Sequence, residues 1–291
     1  MRDLIVAAAF SVLALPLAVL PMGVAMKAGE LLGLLAFGLW RSRRRIAVEN
    51  IRAASAREPF GAAPEAIARR NFMHMGRSLA EVIKVYYGLG RGLVEAVDIR
   101  GEEHFSKAAA RGKGVIFVTG HCGNWELMAL AVASRVAPVG VVARPLDNPF
   151  LNRRLERVRQ SYGGAVIYKK GALRNIISML KAGGAVGILM DQSVLPEEGV
   201  LIDFLGRPAW TTRMPAALSR RTSSPVLPIF IRRTPRGHAV TIHPEVELSG
   251  DDERDTASLS SYVERHIREN PAEWLWIHRR WKRAPGPAAG R

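Results

Sequence analysis

A histidine and a glutamate five positions apart, His121 and Glu126, are the residues of this sequence best suited to proton transfer. They end the segment Gly114–Glu126, in which an apolar run leads into Gly120 and a helix is predicted to begin near Asn124. Residues five positions apart on one ideal helix point about 140° away from each other. A strand-to-helix turn is therefore needed to bring the two side chains together, with Glu126 in the first helical turn, where the helix dipole favours a carboxylate.

An imidazole held by a carboxylate is the base half of a Ser-His-Asp arrangement, here without a serine of the enzyme's own. We therefore expect the substrate to supply the hydroxyl group. His121 would take the hydroxyl proton, and Glu126 would fix the tautomer of the ring and stabilise the imidazolium. Attack of that hydroxyl on an acyl thioester would create a tetrahedral oxyanion, which needs nearby hydrogen-bond donors or a cation.

Two other kinds of chemistry are compatible with residues of the same segment. A metal site is disfavoured because the spacing is not His-Glu-x-x-His and no third ligand is close in sequence. Cys122 lies beside His121 near a helix start, so it is either a nucleophile or buried apolar filler, and we favour filler. As the single cysteine it allows no intrachain disulfide and no cysteine-based zinc cage, which indicates a reducing compartment.

The segments that must position these residues alternate between apolar, β-rich runs and helical stretches. This alternation predicts an α/β fold with a mixed sheet flanked by helices, preceded by a mainly helical region over residues 41–101. The predicted strands are Val115–Thr119, Val139–Ala143, Val166–Tyr168, Val186–Met190, Val226–Ile231 and Ala239–Ile242. The predicted helices between them are Trp125–Ser134, Phe150–Ser161, Leu173–Lys181 and Pro215–Arg221.

The amino-terminal region has the composition of a membrane segment. Residues 4–26 contain no charge, and as one helix they would rise about 35 Å, enough to span a membrane. The apolar run 31–40 is too short to span and predicts an interfacial helix. A cleaved signal peptide and a buried core helix are the alternatives. We expect residues 1–40 to be the membrane anchor with its interfacial helix, 41–283 the catalytic domain and 284–291 a flexible tail.

The chain is strongly basic, with 42 Lys and Arg residues against 26 Asp and Glu residues and a formal net charge of +16. This balance favours an anionic partner such as nucleic acid, an acidic membrane, a phosphorylated substrate or an acidic carrier protein. Because the basic residues are dispersed, a solvated surface is also compatible with the charge. Arginines 41, 43, 44 and 45 directly follow the apolar region, which places the catalytic domain on the cytoplasmic face.

The sequence resembles the lysophospholipid acyltransferase superfamily, whose signature is His-x4-Asp/Glu, and more closely the lipid A biosynthesis (late) acyltransferases. Five blocks match that family in order, although Leu205 replaces a more usual Phe. They are Arg44–Asn50, Gly120–Glu126, Arg144–Pro149, Asp191–Gln192 with Asp203–Ala209, and Trp274–Lys282. The resemblance covers nearly the whole chain.

This resemblance implies an enzyme of the bacterial inner membrane that transfers an acyl chain from acyl carrier protein, or from acyl-CoA, to a hydroxyl of a lipid A precursor. It implies an anionic lipid partner, no nucleic acid, no metal and no prosthetic group. Alternative acceptors are a lysophospholipid, a phosphatidylinositol mannoside or another glycolipid. A non-catalytic basic membrane scaffold is the alternative from a different functional class.

Four further residues are candidates for substrate binding. Arg144 ends a predicted strand, where it would bind phosphate, stabilise the oxyanion or form a structural salt bridge. Asn124 would donate to the reacting carbonyl or only cap its helix. Asp191 and Gln192 follow a buried strand, where they would line a cleft or satisfy loop hydrogen bonds. For the block Trp274–Lys282 we favour a basic and aromatic surface at the lipid headgroups over a partly buried helix.

Overall fold

Helices and strands alternate around a seven-stranded sheet in the computed structural model, which describes residues 1–143, 145–168 and 172–284. The helices are α1 Arg2–Val19, α2 Met22–Leu39, α3 Arg41–Ser55, α4 Pro64–Tyr86, α5 Arg91–Glu95, α6 Glu102–Ala109, α7 Trp125–Arg135, α8 Pro149–Ser161, α9 Ala172–Lys181, α10 Met214–Thr222 and α11 Asp252–Glu269. The strands are β1 Asp98–Arg100, β2 Val115–Thr119, β3 Val139–Ala143, β4 Ala165–Tyr168, β5 Ala185–Leu189, β6 Gly199–Phe204, β7 Arg207–Thr212, β8 Val226–Thr234 and β9 Gly237–Ile242.

The large sheet has the strand order β1-β9-β8-β2-β5-β3-β4, and only β8 and β9 are antiparallel neighbours within it. Strand β2 lies near its centre and is buried along its whole length. Val115 and Phe117 join the core on one face of the sheet, whereas Ile116 and Val118 join the core on the other. Successive side chains of a strand point to opposite faces, so a strand covered on both faces reads as a continuous apolar run.

The predicted α/β architecture is confirmed, including a mostly parallel sheet with helices around it. All six predicted strands and all four predicted helices between them are present, and no end differs from its prediction by more than three residues. Strand β1 and the antiparallel hairpin β6–β7 were not predicted from the sequence. These three strands contain polar or charged residues among their apolar ones, so they lack the continuous apolar run from which the other strands were predicted.

The amino-terminal region forms two apolar helices rather than the predicted spanning helix over 4–26 and short helix over 31–40. Helix α1 ends at Val19 because Leu20, which precedes Pro21, is extended (ψ 145°). Helix α2 then continues through Lys27 and Glu30, which pair with each other at 3.7 Å. Each helix has 18 residues, rises about 27 Å and is apolar enough to cross a membrane. Their outward side chains are exposed, which fits a membrane association.

Both apolar helices are attached to α4. Helix α2 crosses α4 at backbone distance, because Gly29 and Gly33 face Gly76; a Cβ at Gly33 would lie 2.1 Å from the carbonyl oxygen of Phe72. This small-xxx-small spacing is typical of helices that pack closely in membranes. Helix α1 is held at its carboxyl end, where the buried Lys84 ammonium donates to the carbonyls of residues 18 (2.8 Å) and 20. The two apolar helices and helix α4 therefore form one packed unit.

We expect Gly33→Ala to destabilise the protein, because the added Cβ cannot fit against Phe72 without separating α2 from α4. Overpacking of this kind costs about 1–3 kcal/mol. Gly38→Ala is the matched control, since it lies on the same helix with nothing within 4 Å of an added Cβ. Thermal unfolding in detergent should show a lower midpoint for the first variant and an unchanged or higher one for the second. Equal midpoints would contradict the close crossing.

Candidate active site

The carboxyl ends of strands β2 and β5 meet at one edge of the sheet and carry the central pair of the site. The two strands are parallel neighbours, with Thr119 opposite Leu189, so the residues that follow them lie together. His121 Nδ1 and Asp191 Oδ1 are 2.7 Å apart, and the backbone N–H of His121 donates to Asp191 Oδ2 at 2.8 Å. Asp191 thus fixes both the ring and the backbone of His121.

The carboxylate of Asp191 is fully buried and has a third donor, the indole N–H of Trp274, at 2.7 Å. Burial by itself would raise the pKa of Asp191. The charge and hydrogen bonds of His121, together with the Trp274 indole, outweigh burial and lower the pKa to about 2. Asp191 is therefore ionised at neutral pH, holds the proton of the imidazole on Nδ1 and leaves Nε2 as the basic nitrogen.

The predicted contact between His121 and Glu126 is wrong, because the carboxylate on the imidazole is that of Asp191. Glu126 lies in the first turn of α7 as predicted, but it forms a bidentate ion pair with Arg159 of α8. Arg159 Nε and Nη2 each donate to one oxygen of Glu126 at 2.7 Å. This pair is largely buried, with side-chain exposures of 15% for the arginine and 16% for the glutamate. Both oxygens of Glu126 thus have a charged partner in Arg159 instead of the imidazole. Glu126 nevertheless lines the same cavity as His121. Whether it acts in catalysis stays a prediction.

Asn124 caps helix α7, which confirms its predicted structural role. Its side-chain oxygen accepts from the backbone N–H of Leu127 at 3.1 Å, and its amide donates to Glu81 at 2.9 Å. Glu81 is itself buried and binds Arg233 through both oxygens (2.6 and 2.8 Å) and His238 at 2.9 Å. Asn124 therefore positions the start of α7, whereas donation from its amide to a substrate carbonyl stays a prediction.

Gln192 lies beside the basic nitrogen of His121. Its side-chain amide nitrogen is 3.2 Å from His121 Nε2.

Cys122 is buried. Its burial, and to a smaller extent the negative charges of Asp191 and Glu273, raise the pKa of its thiol well above the usual value. This confirms Cys122 as apolar filler, because a buried protonated thiol is a poor nucleophile. Arg144 lies outside the described residues, so its roles in phosphate or oxyanion binding stay predictions.

The tryptophans of the block Trp274–Lys282 are buried in the core rather than exposed at a headgroup-level surface as predicted, whereas Arg279 and Lys282 are exposed. The block forms consecutive turns, in which Trp274, Trp276 and Arg280 are each at most 2% exposed. The Arg280 guanidinium donates to the backbone carbonyls of Trp210 (2.6 Å) and Gln192 (3.1 Å). The sequence pattern was misleading because alternating aromatic and basic residues are common at membrane surfaces, whereas here Trp274, Trp276 and Arg280 donate to oxygen atoms of the fold itself.

An apolar cavity of about 370 Å³ opens beside His121 and lies between helix α7 and the sheet. We call it the sheet cavity. His121, Gln192, Glu126 and Arg159 line it at the carboxyl edge of the strands. Its remaining lining includes Phe117, Met128, Val132, Val139, Val141, Gly187 and Ile229. The cavity thus extends from the imidazole toward the amino edge of the sheet. It runs along about four strand residues, a length of roughly 13 Å.

Within the part of the chain that the structure describes, no group of three His, Cys, Asp or Glu side chains could hold a metal ion. The arrangement that is present is a base with its orienting carboxylate, an adjacent amide and an apolar cavity. This set can deprotonate a hydroxyl group next to a bound hydrocarbon chain. Reaction on a long-chain acyl compound fits the site better than reaction on a small polar molecule.

We expect the folded protein to lose stability as the pH falls from 6.5 to 4. Burial lowers the pKa of His74 and of His266 to about 4, so the unfolded chain binds more protons than the folded one in this window. Below about pH 4.5, Glu81 and Asp191, whose pKa values are lowered to about 2, act in the same direction. Chemical unfolding at pH 7 and pH 5 measures this slope. His266→Phe should make the slope shallower, and an identical slope would contradict the neutral buried imidazole.

Comparison with known proteins identifies the family. The family described as bacterial lipid A biosynthesis acyltransferase matches residues 3–283. A phosphatidylinositol mannoside acyltransferase of Mycobacterium tuberculosis is 28% identical over 229 residues, which cover 77% of this chain and 72% of that protein. The lipid A biosynthesis lauroyltransferase of Escherichia coli K12 is 27% identical over 271 residues (91% and 88%), and the palmitoleoyltransferase of the same strain is 27% identical over 270 residues (91% and 87%). The chain is therefore an acyltransferase that belongs to the bacterial lipid A biosynthesis acyltransferase family.

Proposed function

We propose that this protein transfers a fatty acyl chain from an acyl thioester to a hydroxyl of a lipid A precursor. The observation that carries the proposal is the orientation of His121. Asp191 holds its Nδ1, and its Nε2 borders the apolar sheet cavity. A base at the mouth of a hydrocarbon-sized cavity suits a reaction between an acyl chain and a hydroxyl that the substrate provides.

The proposed reaction needs no covalent enzyme intermediate. His121 Nε2 takes the proton of the acceptor hydroxyl while the oxygen attacks the thioester carbonyl carbon. The tetrahedral oxyanion then collapses, the carbon–sulfur bond breaks, and the imidazolium returns its proton to the leaving thiolate. Asp191 stabilises the imidazolium between the two transfers. The products are the new ester and the free thiol of the carrier.

The sheet cavity is the proposed site of the donor's acyl chain, because its walls are apolar and His121 lies at its polar end. The amide of Gln192, 3.2 Å from the basic nitrogen, is the proposed donor to the oxyanion. The thioester carrier is acyl carrier protein or coenzyme A, both of which are anionic. The net charge of +16 supports either.

We place the enzyme at the bacterial inner membrane with its catalytic domain on the cytoplasmic face. Two apolar helices precede the catalytic domain, and an arginine cluster directly follows α2, at the start of α3. Positive residues beside a membrane segment favour the cytoplasmic side. Anionic lipids of that leaflet would also attract the basic domain.

The direct test incubates the purified, detergent-solubilised protein with labelled acyl-acyl carrier protein or acyl-CoA and a panel of acceptors. We expect transfer to a lipid A precursor that carries free 3-hydroxyacyl groups, detected as a mass increase of one acyl chain. Transfer to a lysophospholipid alone would overturn the assignment.

A phosphatidylinositol mannoside is the second candidate acceptor, because a relative at 28% identity is named an acyltransferase for that lipid. The same panel separates the two acceptors. Product formed from the mannoside and not from the lipid A precursor would select the second candidate while leaving the roles of His121 and Asp191 unchanged.

A further inference from the structure

A second cavity lies on the other side of Trp125 and Glu126 from the sheet cavity. It measures about 310 Å³, against about 370 Å³ for the sheet cavity, and the two share both of these residues in their linings. We call it the α4 cavity. Met75, Leu79 and Val82 of helix α4 form one wall, and Leu275 contributes to the other.

His121 lines the sheet cavity, and Trp125, which contacts His121, lines both cavities. Two cavities of similar size arranged in this way match the needs of a reaction between two long-chain reactants. Both must be held at His121 at the same time, so the chain of one cannot occupy the space required by the other. Trp125 packs edge-on against the imidazole, with ring centroids 5.1 Å apart, and it lines both cavities. A chain in the α4 cavity would therefore be separated from the donor chain by a single aromatic side chain.

The polar groups around the α4 cavity are neutral or already engaged. His74 is buried. Its burial, together with the smaller effect of the positive charge of Arg233, lowers its pKa to about 4, so the ring is uncharged at neutral pH. Asn124 is bound to Glu81 and caps α7, and Glu126 is paired with Arg159. Glu273, the other carboxylate of the lining, accepts from the backbone N–H of Arg233 at 3.1 Å, and burial raises its pKa. A mainly apolar wall whose polar groups are neutral or already engaged suits a hydrocarbon chain better than a sugar or a phosphate.

The α4 cavity is also continuous with the surface that carries the apolar helices. Met75, Leu79, Val82 and Tyr86 form a stripe along α4 at helical spacing, and Leu79 is 47% exposed. Tyr86 contacts Phe10 of α1, with ring centroids 6.2 Å apart. An acyl chain of a membrane lipid can thus follow apolar surface from α1 to the cavity.

We propose that the α4 cavity binds an acyl chain of the acceptor lipid and so selects acceptors whose reacting hydroxyl lies close to a long hydrocarbon chain. This inference rests on the proposed function, because it takes the sheet cavity as the site of the donor chain. Helix α4 would thus help to select the acceptor in addition to packing against α2.

The test uses Val82→Trp, which fills the α4 cavity with an aromatic side chain, in the full-length protein in detergent. Leu89→Trp is the matched control, because Leu89 is 57% exposed and lies outside both cavities. Gly187→Leu fills the sheet cavity instead; a Cβ there meets only Val139, at 3.6 Å. Each variant is assayed with two forms of the lipid A precursor, one with long 3-hydroxyacyl chains and one with 3-hydroxybutyryl groups.

For Val82→Trp we expect the KM for the long-chain acceptor to rise about tenfold or more, with little change in kcat, since only binding is lost. Rates with the short-chain acceptor and the KM for the donor should stay at wild-type values. Gly187→Leu should instead shift the preferred donor to a shorter chain, and Leu89→Trp should change neither. An acceptor with a photoactivatable acyl chain should label the peptide that contains residues 75–82 in the wild type and not in Val82→Trp.

Equal losses with both acceptor forms, an altered donor-chain preference in Val82→Trp, or labelling outside residues 75–82 would overturn the inference. Failure of the proposed function gives a different result, because the wild-type protein would then transfer nothing to the lipid A precursor. If the wild type instead acylates another lipid of the panel, long- and short-chain forms of that lipid replace the precursor in the same comparison.

Discussion

His121→Ala is expected to lower acyl transfer about 100-fold or more, the typical cost of removing a positioned general base. The loss should lie in kcat, since the imidazole acts on the proton that moves in the transition state rather than on the bound chains. Steady-state transfer of a labelled acyl chain measures it. His104→Ala on helix α6 is the matched control and should behave as the wild type, because His104 lines neither cavity.

Thermal unfolding of both variants separates a chemical loss from a folding loss. His121→Ala takes the imidazole away from the buried Asp191 carboxylate and should lower the unfolding midpoint, so transfer by both variants is compared well below their midpoints. A correctly folded His121→Ala protein that retains a tenth of wild-type activity would rule out the imidazole as the base.

Asp191→Asn is expected to lower kcat by roughly two to four orders of magnitude, as in other sites where a carboxylate orients a catalytic imidazole. The asparagine amide would donate to Nδ1 and force the ring proton onto Nε2, the nitrogen that must be basic. The oxygen of asparagine can still accept from Trp274 or from the backbone of His121, so we expect the variant to fold. Transfer assays and thermal unfolding, carried out on the same preparations, measure both effects.

Glu126→Gln is the comparison that decides which carboxylate serves the imidazole. It breaks the ion pair with Arg159 but leaves the contact between Asp191 and His121 intact, so its loss of activity should be clearly smaller. If Glu126→Gln were as inactive as His121→Ala while Asp191→Asn stayed active, the dyad predicted from sequence spacing would be correct and the one inferred from the geometry wrong.

The elements that position the site could be predicted from the sequence, because each buried strand is a continuous apolar run. The run Val115–Thr119 placed His121 at a strand end, and Asn124 indicated where the next helix begins. The family could also be predicted, since five blocks in a fixed order are far more specific than one pair of residues. The match over residues 3–283 confirms that resemblance.

The partner of the imidazole could not be predicted, because it depends on which strands become neighbours. Asp191 is 70 residues from His121 in sequence and reaches it only because β5 pairs with β2. The available signal was that Asp191 follows a buried strand, and parallel strands present their carboxyl ends at one edge. The spacing of His121 and Glu126 was the stronger local signal, but it could not show that Arg159 would neutralise the glutamate.

The hydrogen bond from Trp274 to Asp191 has a consequence for how the enzyme is made. Trp274 follows His121 by 153 residues in the sequence, whereas α1 and α2 precede both of them. Nascent chains emerge from the ribosome amino end first and fold progressively. The apolar helices are therefore synthesised long before the indole can complete the site. Until Trp274 has been added, the growing polypeptide lacks the third donor to Asp191, so we expect it to stay inactive during most of its synthesis.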